Sequence, residues 1–123
     1  MCIRDSVEFA QSENMLQHIG EYLIDAARTG TRHTPGGNRS TAVAPQGCYP
    51  CTGVDEWVVV SCIDDDAWLG LTEVIGRDDL GRDPRLTSPP GRRIHHDEID
   101  AAISAWTRTR TPDEAFHLSL IHI

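Results

Sequence analysis

Residues 36–71 read GGNRSTAVAPQGCYPCTGVDEWVVVSCIDDDAWLGL, and this stretch decides the fold. A Gly-Gly-Asn turn leads through an Ala/Pro approach into a short strand, Gly47 to Thr52. A turn at Gly53-Val54-Asp55-Glu56 follows, then a β-branched strand from Trp57 to Ile63. Two runs rich in Val, Tyr, Trp and Cys around a Gly/Asp turn predict an antiparallel hairpin. Next come Asp64, Asp65 and Asp66, ahead of Trp68, Leu71 and Ile75 at helical spacing. Three adjacent carboxylates could serve a metal or acid–base chemistry. Aspartates just before a helical stripe more often cap free backbone N–H groups and meet the positive helix end, so capping is the preferred reading. Gly76 is placed to close that helix. The hairpin must bury its apolar face against another layer, and the flanking helices are the available cover. The fold class expected is α+β: a small antiparallel sheet covered by helices.

Upstream of the hairpin, Val7 to Ala10 reads as a brief extended entry, and Ser12 as the N-cap of a helix. Met15, Ile19, Tyr22, Leu23 and Ala26 recur at helical spacing, Gly20 weakens the helix, and Gly30 is placed to end it. Thr31 to Gln46 holds Pro35, Gly36, Gly37 and Pro45 and reads as irregular. A Gly-Gly pair can cradle phosphate, but no strand leads into this one and no helix follows, so a plain turn is preferred. Downstream, Arg77 to Ile94, with Pro84, Pro89 and Pro90, reads as a polar connector. His95-His96-Asp97 opens a helix whose stripe is Ile99, Ala102, Ile103 and Trp106. His96 beside Asp97 and Asp100 could form a pH-sensitive group, although an exposed helix start is the simpler account. Thr111-Pro112-Asp113-Glu114 is a capping box with proline at the first helical position.

Cys48 and Cys51 form a C-x-x-C, with Cys62 on the partner strand and His95 further on. Zinc binding through Cys48, Cys51 and His95 is the alternative this raises. Strand alternation puts the two cysteines on opposite faces, and a redox pair would place its first cysteine at a helix N-terminus. Small buried apolar side chains are the preferred role.

The chain has 123 residues, one domain's worth at most, with net charge −8. All 11 basic residues are arginine. The acidic balance gives no electrostatic reason to hold nucleic acid or an anionic membrane. No apolar run is long enough to cross a bilayer, and Met1 to Ala10 lacks the apolar core of a signal peptide, so the expected location is cytoplasmic.

The two ends encode each other. MCIRDS back-translates to ATG TGT ATA AGA GAC AG plus one base, whose reverse complement, CTG TCT CTT ATA CAC AT, translates as LSLIHI, the sequence of residues 118–123. Met1–Ser6 and Leu118–Ile123 are therefore expected to be translated sequencing adapter, set aside in fold reasoning. Between them, residues 7–117 are expected to be cut from a longer reading frame. The helix announced by the capping box would then barely have begun.

Taken in order, Gly37-Asn38, Ala44-Pro45, Gly47, Tyr49, Cys51, Trp57 to Val60, Asp65-Asp66, Trp68-Leu69 and Leu71 resemble the C-terminal-half motif of the class III CoA-transferases. This is the CaiB/BaiF family, which includes formyl-CoA transferase. The resemblance continues through Asp83-Pro84-Arg85-Leu86, Arg92 or Arg93, Ile103 to Trp106, and Thr111 to Glu114. It implies that residues 7–30 are the strand and helix leading into the family's small domain and that residues 31–117 are a fragment of that domain. It implies CoA transfer between carboxylic acids by an aspartyl nucleophile. That nucleophile lies upstream in relatives and matches no position here, so no catalytic residue is assigned. Coenzyme A enters as substrate and no cofactor is implied. Partners implied for the full-length enzyme are acyl-CoA and carboxylate substrates and a second copy in an interlocked homodimer. Gly36, Gly37 and Asn38 are the candidate substrate-loop residues. Ser40 to Gln46, where formyl-CoA transferase relatives carry a glycine-rich loop, contains no glycine. The Asp83–Leu86 turn and the arginine after it are expected on the domain surface, serving structure. The fragment is expected to be inactive alone. A free-standing small α+β binding module is the alternative.

Overall fold

The computed structural model describes residues 9–32 and 34–120, so the predicted entry at Val7–Ala10 and the two outer ends lie largely outside the described residues. The chain divides into two compact units, one ending at Pro35 and the other beginning at Gly36.

The first unit holds helix α1 (Gln11–Leu16), a 3₁₀ turn (Gln17–Ile19) and helix α2 (Gly20–Thr29). The single predicted helix is thus broken just before Gly20, where a poor helix former meets the more tightly wound turn. Ser12 does not cap: Ala10 holds the N-cap position, with no side-chain cap bond. Gly30 does end α2, at φ 70°, donating its N–H to Ala26 O over 2.9 Å. Met15, Ile19, Tyr22 and Leu23 are exposed along these helices.

The second unit is built on the hairpin. Strand β1 (Gln46–Pro50) pairs antiparallel with β2 (Trp57–Ser61), Gln46 facing Ser61 and Pro50 facing Trp57. Both strands are shorter than predicted. Beyond Pro50 the chain turns, and Cys51 N–H closes the connecting loop on Glu56 O at 2.8 Å. Tyr49 and Cys51 point inward, while Trp57 and Val59 face out. Helix α3 (Asp65–Val74) starts as predicted, with Asp64 accepting from Ala67 N–H at 2.8 Å, and Gly76 follows it at φ 69°.

Helix α6 (His96–Thr107) packs on β1, and α7 (Pro112–Leu120) packs on β2 and α3. The core joins Tyr49 and Cys62 of the hairpin region to Trp68, Leu71 and Ile75, and to Leu80, Leu86, Ile99, Ala102 and Ile103. Each large apolar side chain so buried contributes about 1.5–3 kcal/mol. The buried Thr107 hydroxyl donates to Pro50 O at 2.8 Å, and Thr52 N–H reaches Arg110 O at 2.8 Å, so the end of α6 is tied to the hairpin's turn. The capping box forms in both directions: Thr111 N–H to Glu114 Oε2 at 2.9 Å and Glu114 N–H to Thr111 Oγ1 at 3.3 Å. α7 does not stop after its first turn. It runs through Leu118 to Leu120, since propagation adds a hydrogen bond per residue once a helix has begun.

The predicted connector, Arg77 to Ile94, is partly helical. α4 (Asp78–Gly81) buries Leu80, and α5 (Pro89–Ile94) is capped by Ser88. Two prolines signal a loop when read alone, yet Pro89 and Pro90 occupy a first turn that needs no intrahelical N–H. Gly91 is required there by close approach, because a Cβ on it would overlap the carbonyl oxygen of Arg85.

The expectation that the Asp83–Leu86 turn and its following arginine sit on the surface holds for Asp83 and Arg85, which pair with each other at 2.6 Å. It fails for Leu86 and for Arg92, which are 0% and 1% exposed, and holds for Arg93, the other candidate arginine. Arg92 donates from Nε to Ala44 O at 2.8 Å, from Nη1 to Leu86 O at 3.1 Å, and from Nη2 to Asp65 Oδ1 at 2.6 Å. Its guanidinium carbon stands 5.6 Å from the centre of the Trp68 ring.

Replacing Arg92 by Ala is expected to lower the unfolding free energy by about 3 kcal/mol or more, since charge-assisted bonds vanish and two carbonyls lose a buried donor. The exposed neighbour is the control: Arg93→Ala should stay within about 0.5 kcal/mol of the parent in urea titrations. Equal effects at the two positions would contradict the assignment.

Candidate functional site

A shallow cleft of about 310 Å³ opens in the second unit beside the start of β1, lined by Gly37, Asn38, Arg39, Cys48, Tyr49 and Asp100 among others. The candidate loop residues Gly36, Gly37 and Asn38 therefore border a concavity, with Gly37 in the left-handed region at φ 65°.

The cleft's chemistry comes from Arg39 and Tyr49 together with His96, Asp97 and Asp100, the group for which the sequence favours an exposed helix start. Arg39 reaches α6 and forms ion pairs with both Asp97 and Asp100. The Tyr49 hydroxyl donates to Asp100 Oδ1 at 2.6 Å. Tyr49 gets there by lying back over Gly47, where a Cβ would come within 2.7 Å of the phenol oxygen. His96 is 3% exposed and not at an open helix start as expected. Its Nε2 accepts Gln46 N–H at 3.3 Å and lies 3.5 Å from Asp100 Oδ1. Gln46 in turn donates its side-chain amide to Asn38 O at 3.3 Å, so the network returns to the candidate loop.

The electrostatics follow from this packing. Burial pushes the His96 pKa below its ordinary value; Asp100 opposes the shift and Arg39 adds to it. Burial, then the bond to Asp100, holds the Tyr49 hydroxyl far above the usual phenol range. The hydrogen bond from Arg39 holds the Asp97 carboxyl below the usual carboxylate range. Asp100 is thus fixed by two donors, and the cleft presents a neutral phenol and a neutral imidazole beside two carboxylates that share one guanidinium.

The zinc alternative is not assembled. Cys48 faces the cleft, Cys51 lies buried on the opposite face, and His95 stands beside Glu98 at the head of α6. Among the described residues no three of His, Cys, Asp and Glu are grouped so as to hold a metal ion. Burial raises the Cys51 thiol pKa and pushes that of Cys62 up to about 12, which keeps both thiols protonated and poor nucleophiles. Among the described residues no helix is long and apolar enough to cross a membrane.

Comparison with known proteins gives the family and the fold. The sequence profile of CoA-transferase family III matches residues 4–119. The chain belongs to CoA-transferase family III. It is 37% identical over 105 residues to a probable CoA-transferase, Rv1866, of Mycobacterium tuberculosis, covering 80% of this chain and 13% of that protein. It is 30% identical over 108 residues to the succinyl-CoA–D-citramalate CoA-transferase of Chloroflexus aurantiacus, covering 88% of this chain and 27% of that protein. The fold is that of a CaiB/BaiF family protein from Brucella suis, with a TM-score of 0.75 at 18% identity over 89% of this chain and 29% of that one. The family III chain described here thus spans about an eighth to a quarter of its curated relatives' length.

The signal for Arg39, Tyr49 and Asp100 was faint: an arginine after Gly-Asn and a His-x-x-x-Asp spacing that sets His96 and Asp100 one helical turn apart. The depressed His96 pKa gives a signed expectation. Between the folded-state pKa and about 6.5 the unfolded chain binds more protons, so stability falls as pH drops through that window. Tyr49→Phe frees Asp100 Oδ1 to face His96. It should raise the histidine's NMR-titrated pKa toward 6.5 and shrink the pH dependence of unfolding. An unchanged or lowered His96 pKa would show that Asp100 does not serve both groups.

Proposed function

We propose that this chain is the small-domain part of an enzyme that transfers CoA between carboxylic acids. The observation carrying this is the family III match over residues 4–119, joined to a fold shared at a TM-score of 0.75 with a CaiB/BaiF protein. Gly36, Gly37 and Asn38 form the substrate-facing loop, and the cleft beside them is where this part meets the acyl-CoA or the carboxylate.

The attacking carboxylate lies outside these residues. A carboxylate nucleophile must present a lone pair to the thioester carbonyl and be sheltered from water. Asp100, the acid at the cleft, already accepts from Tyr49 and Arg39. Asp97 is bound to Arg39, and its side chain is open to solvent. Both are suited to holding the loop, not to attack. On this reading the chain positions, and a carboxylate elsewhere in the longer protein forms the mixed anhydride and releases CoA thiolate. The thiolate then attacks the protein-side carbonyl of that anhydride, so the donor acid leaves as its carboxylate and an enzyme–CoA thioester remains. The incoming carboxylate attacks this thioester to form a second anhydride, and the thiolate set free attacks its acyl carbonyl, giving the new acyl-CoA and restoring the enzyme's carboxylate.

The test uses the 123-residue chain and a gene product of the relatives' length, each given acyl-CoA and an isotopically labelled free carboxylate. Label should enter the thioester only with the longer protein. Exchange catalysed by the short chain alone, or thioester hydrolysis without exchange by the long one, would overturn the proposal.

A further inference from the structure

His96 Nε2 has two neighbours that want opposite things of it. Gln46 N–H, at 3.3 Å, needs a lone pair, whereas Asp100 Oδ1, at 3.5 Å, would welcome a proton. The neutral ring with its proton on Nδ1 satisfies the first, and the imidazolium satisfies the second but leaves Gln46 N–H with no acceptor. Asp100 Oδ1 is already the acceptor for Tyr49, and its other oxygen pairs with Arg39. A charged His96 therefore competes with Tyr49 for Asp100 and sets a second cation against Arg39.

Those contacts pin both ends of one segment. Arg39 anchors its start to Asp97 and Asp100. Gln46 anchors its end, through its N–H to His96 and through its side chain to Asn38 O. We infer that His96 is a proton-operated latch on residues 36–46: neutral, it holds the segment closed against α6; protonated, it releases Gln46 and loosens the Gly36–Asn38 rim of the cleft. This device is independent of any CoA chemistry, because it needs only the contacts named. The titratable and charged groups facing the ring are Asp97 and Asp100 from α6 itself, Arg39 from the segment and Tyr49 from β1. Burial favours the neutral ring at neutral pH, which sets the closed state as the resting one.

Amide hydrogen exchange of the full chain tests this, corrected for the intrinsic pH dependence of exchange and compared between about pH 7.5 and about pH 5. Gln46 protection should fall by up to about tenfold per pH unit as the pH drops from about 6.5, the pKa of a released imidazole, toward the lower pKa of the latched ring, while the Arg108 amide, bonded to Ser104 O within α6, keeps its protection. His96→Gln, which can keep an acceptor but cannot titrate, should make Gln46 protection independent of pH. Should that variant fail to fold, the parent still decides. Its His96 nitrogen shifts must show an unprotonated Nε2 at the higher pH and share one titration midpoint with the Gln46 amide shift. Constant Gln46 protection, parallel loss at Gln46 and Arg108, or separate midpoints would each overturn the latch.

Discussion

The buried guanidinium of Arg92 is the interaction on which the second unit depends. Its three nitrogens each donate to a different segment: Ala44 ahead of β1, Leu86 after the Asp83–Arg85 turn, and Asp65 in the first turn of α3. These segments are distant in sequence and are otherwise irregular or only just helical where Arg92 meets them. A planar fork with fixed donor directions can satisfy three such acceptors together, whereas a lysine ammonium offers a single point of charge. The arrangement also resolves a burial problem. A lone buried cation is costly, but this one has a carboxylate whose other side remains in water, two carbonyls and an indole face.

The cleft rests on a second polar cluster at the other end of the same packing. Arg92 fixes Ala44, two residues before Gln46, and Gln46 starts β1 and meets His96. α6 brings Ile99 and Ile103 into the core on one face and offers His96, Asp97 and Asp100 to the segment before β1. One helix thus serves both core and cleft. The tight Gly47–Tyr49 contact has the same logic: the absent side chain at Gly47 is the space the Tyr49 phenol needs to reach Asp100.

How much of this was legible depended on whether the signal was local. The hairpin, the Asp64 cap, the Thr111–Glu114 box and the α6 stripe are each set by neighbours within a turn or a strand pair, and all could be read directly. The ends of the strands were misplaced because Pro50 limits the ladder in a way that apolar patterning does not record. α5 was hidden because Pro-Pro-Gly reads as a loop unless the first-turn exemption for proline is weighed. Arg92 and His96 could not have been recognised as buried, since nothing in a local window says that a carbonyl from residue 44 or an amide from residue 46 will meet them. α7 runs on across Leu118, a continuation for which the capping box gives a start and no local signal gives an end. The family resemblance supplied the order of the motifs and was confirmed at the family level. The His96, Asp97 and Asp100 grouping could be named from its spacing, but the contacts that join it to Arg39 and Tyr49 had to come from geometry.

The central claim, that one guanidinium joins three segments at the heart of this family III unit, predicts a directly observable bond. In a uniformly labelled sample, the Arg92 Nε–H proton should be slow to exchange and should show a through-hydrogen-bond scalar coupling from Nε to the carbonyl carbon of Ala44, as the 2.8 Å separation requires. A rapidly exchanging Nε–H with no such coupling, like that of a solvent-exposed arginine, would contradict the account.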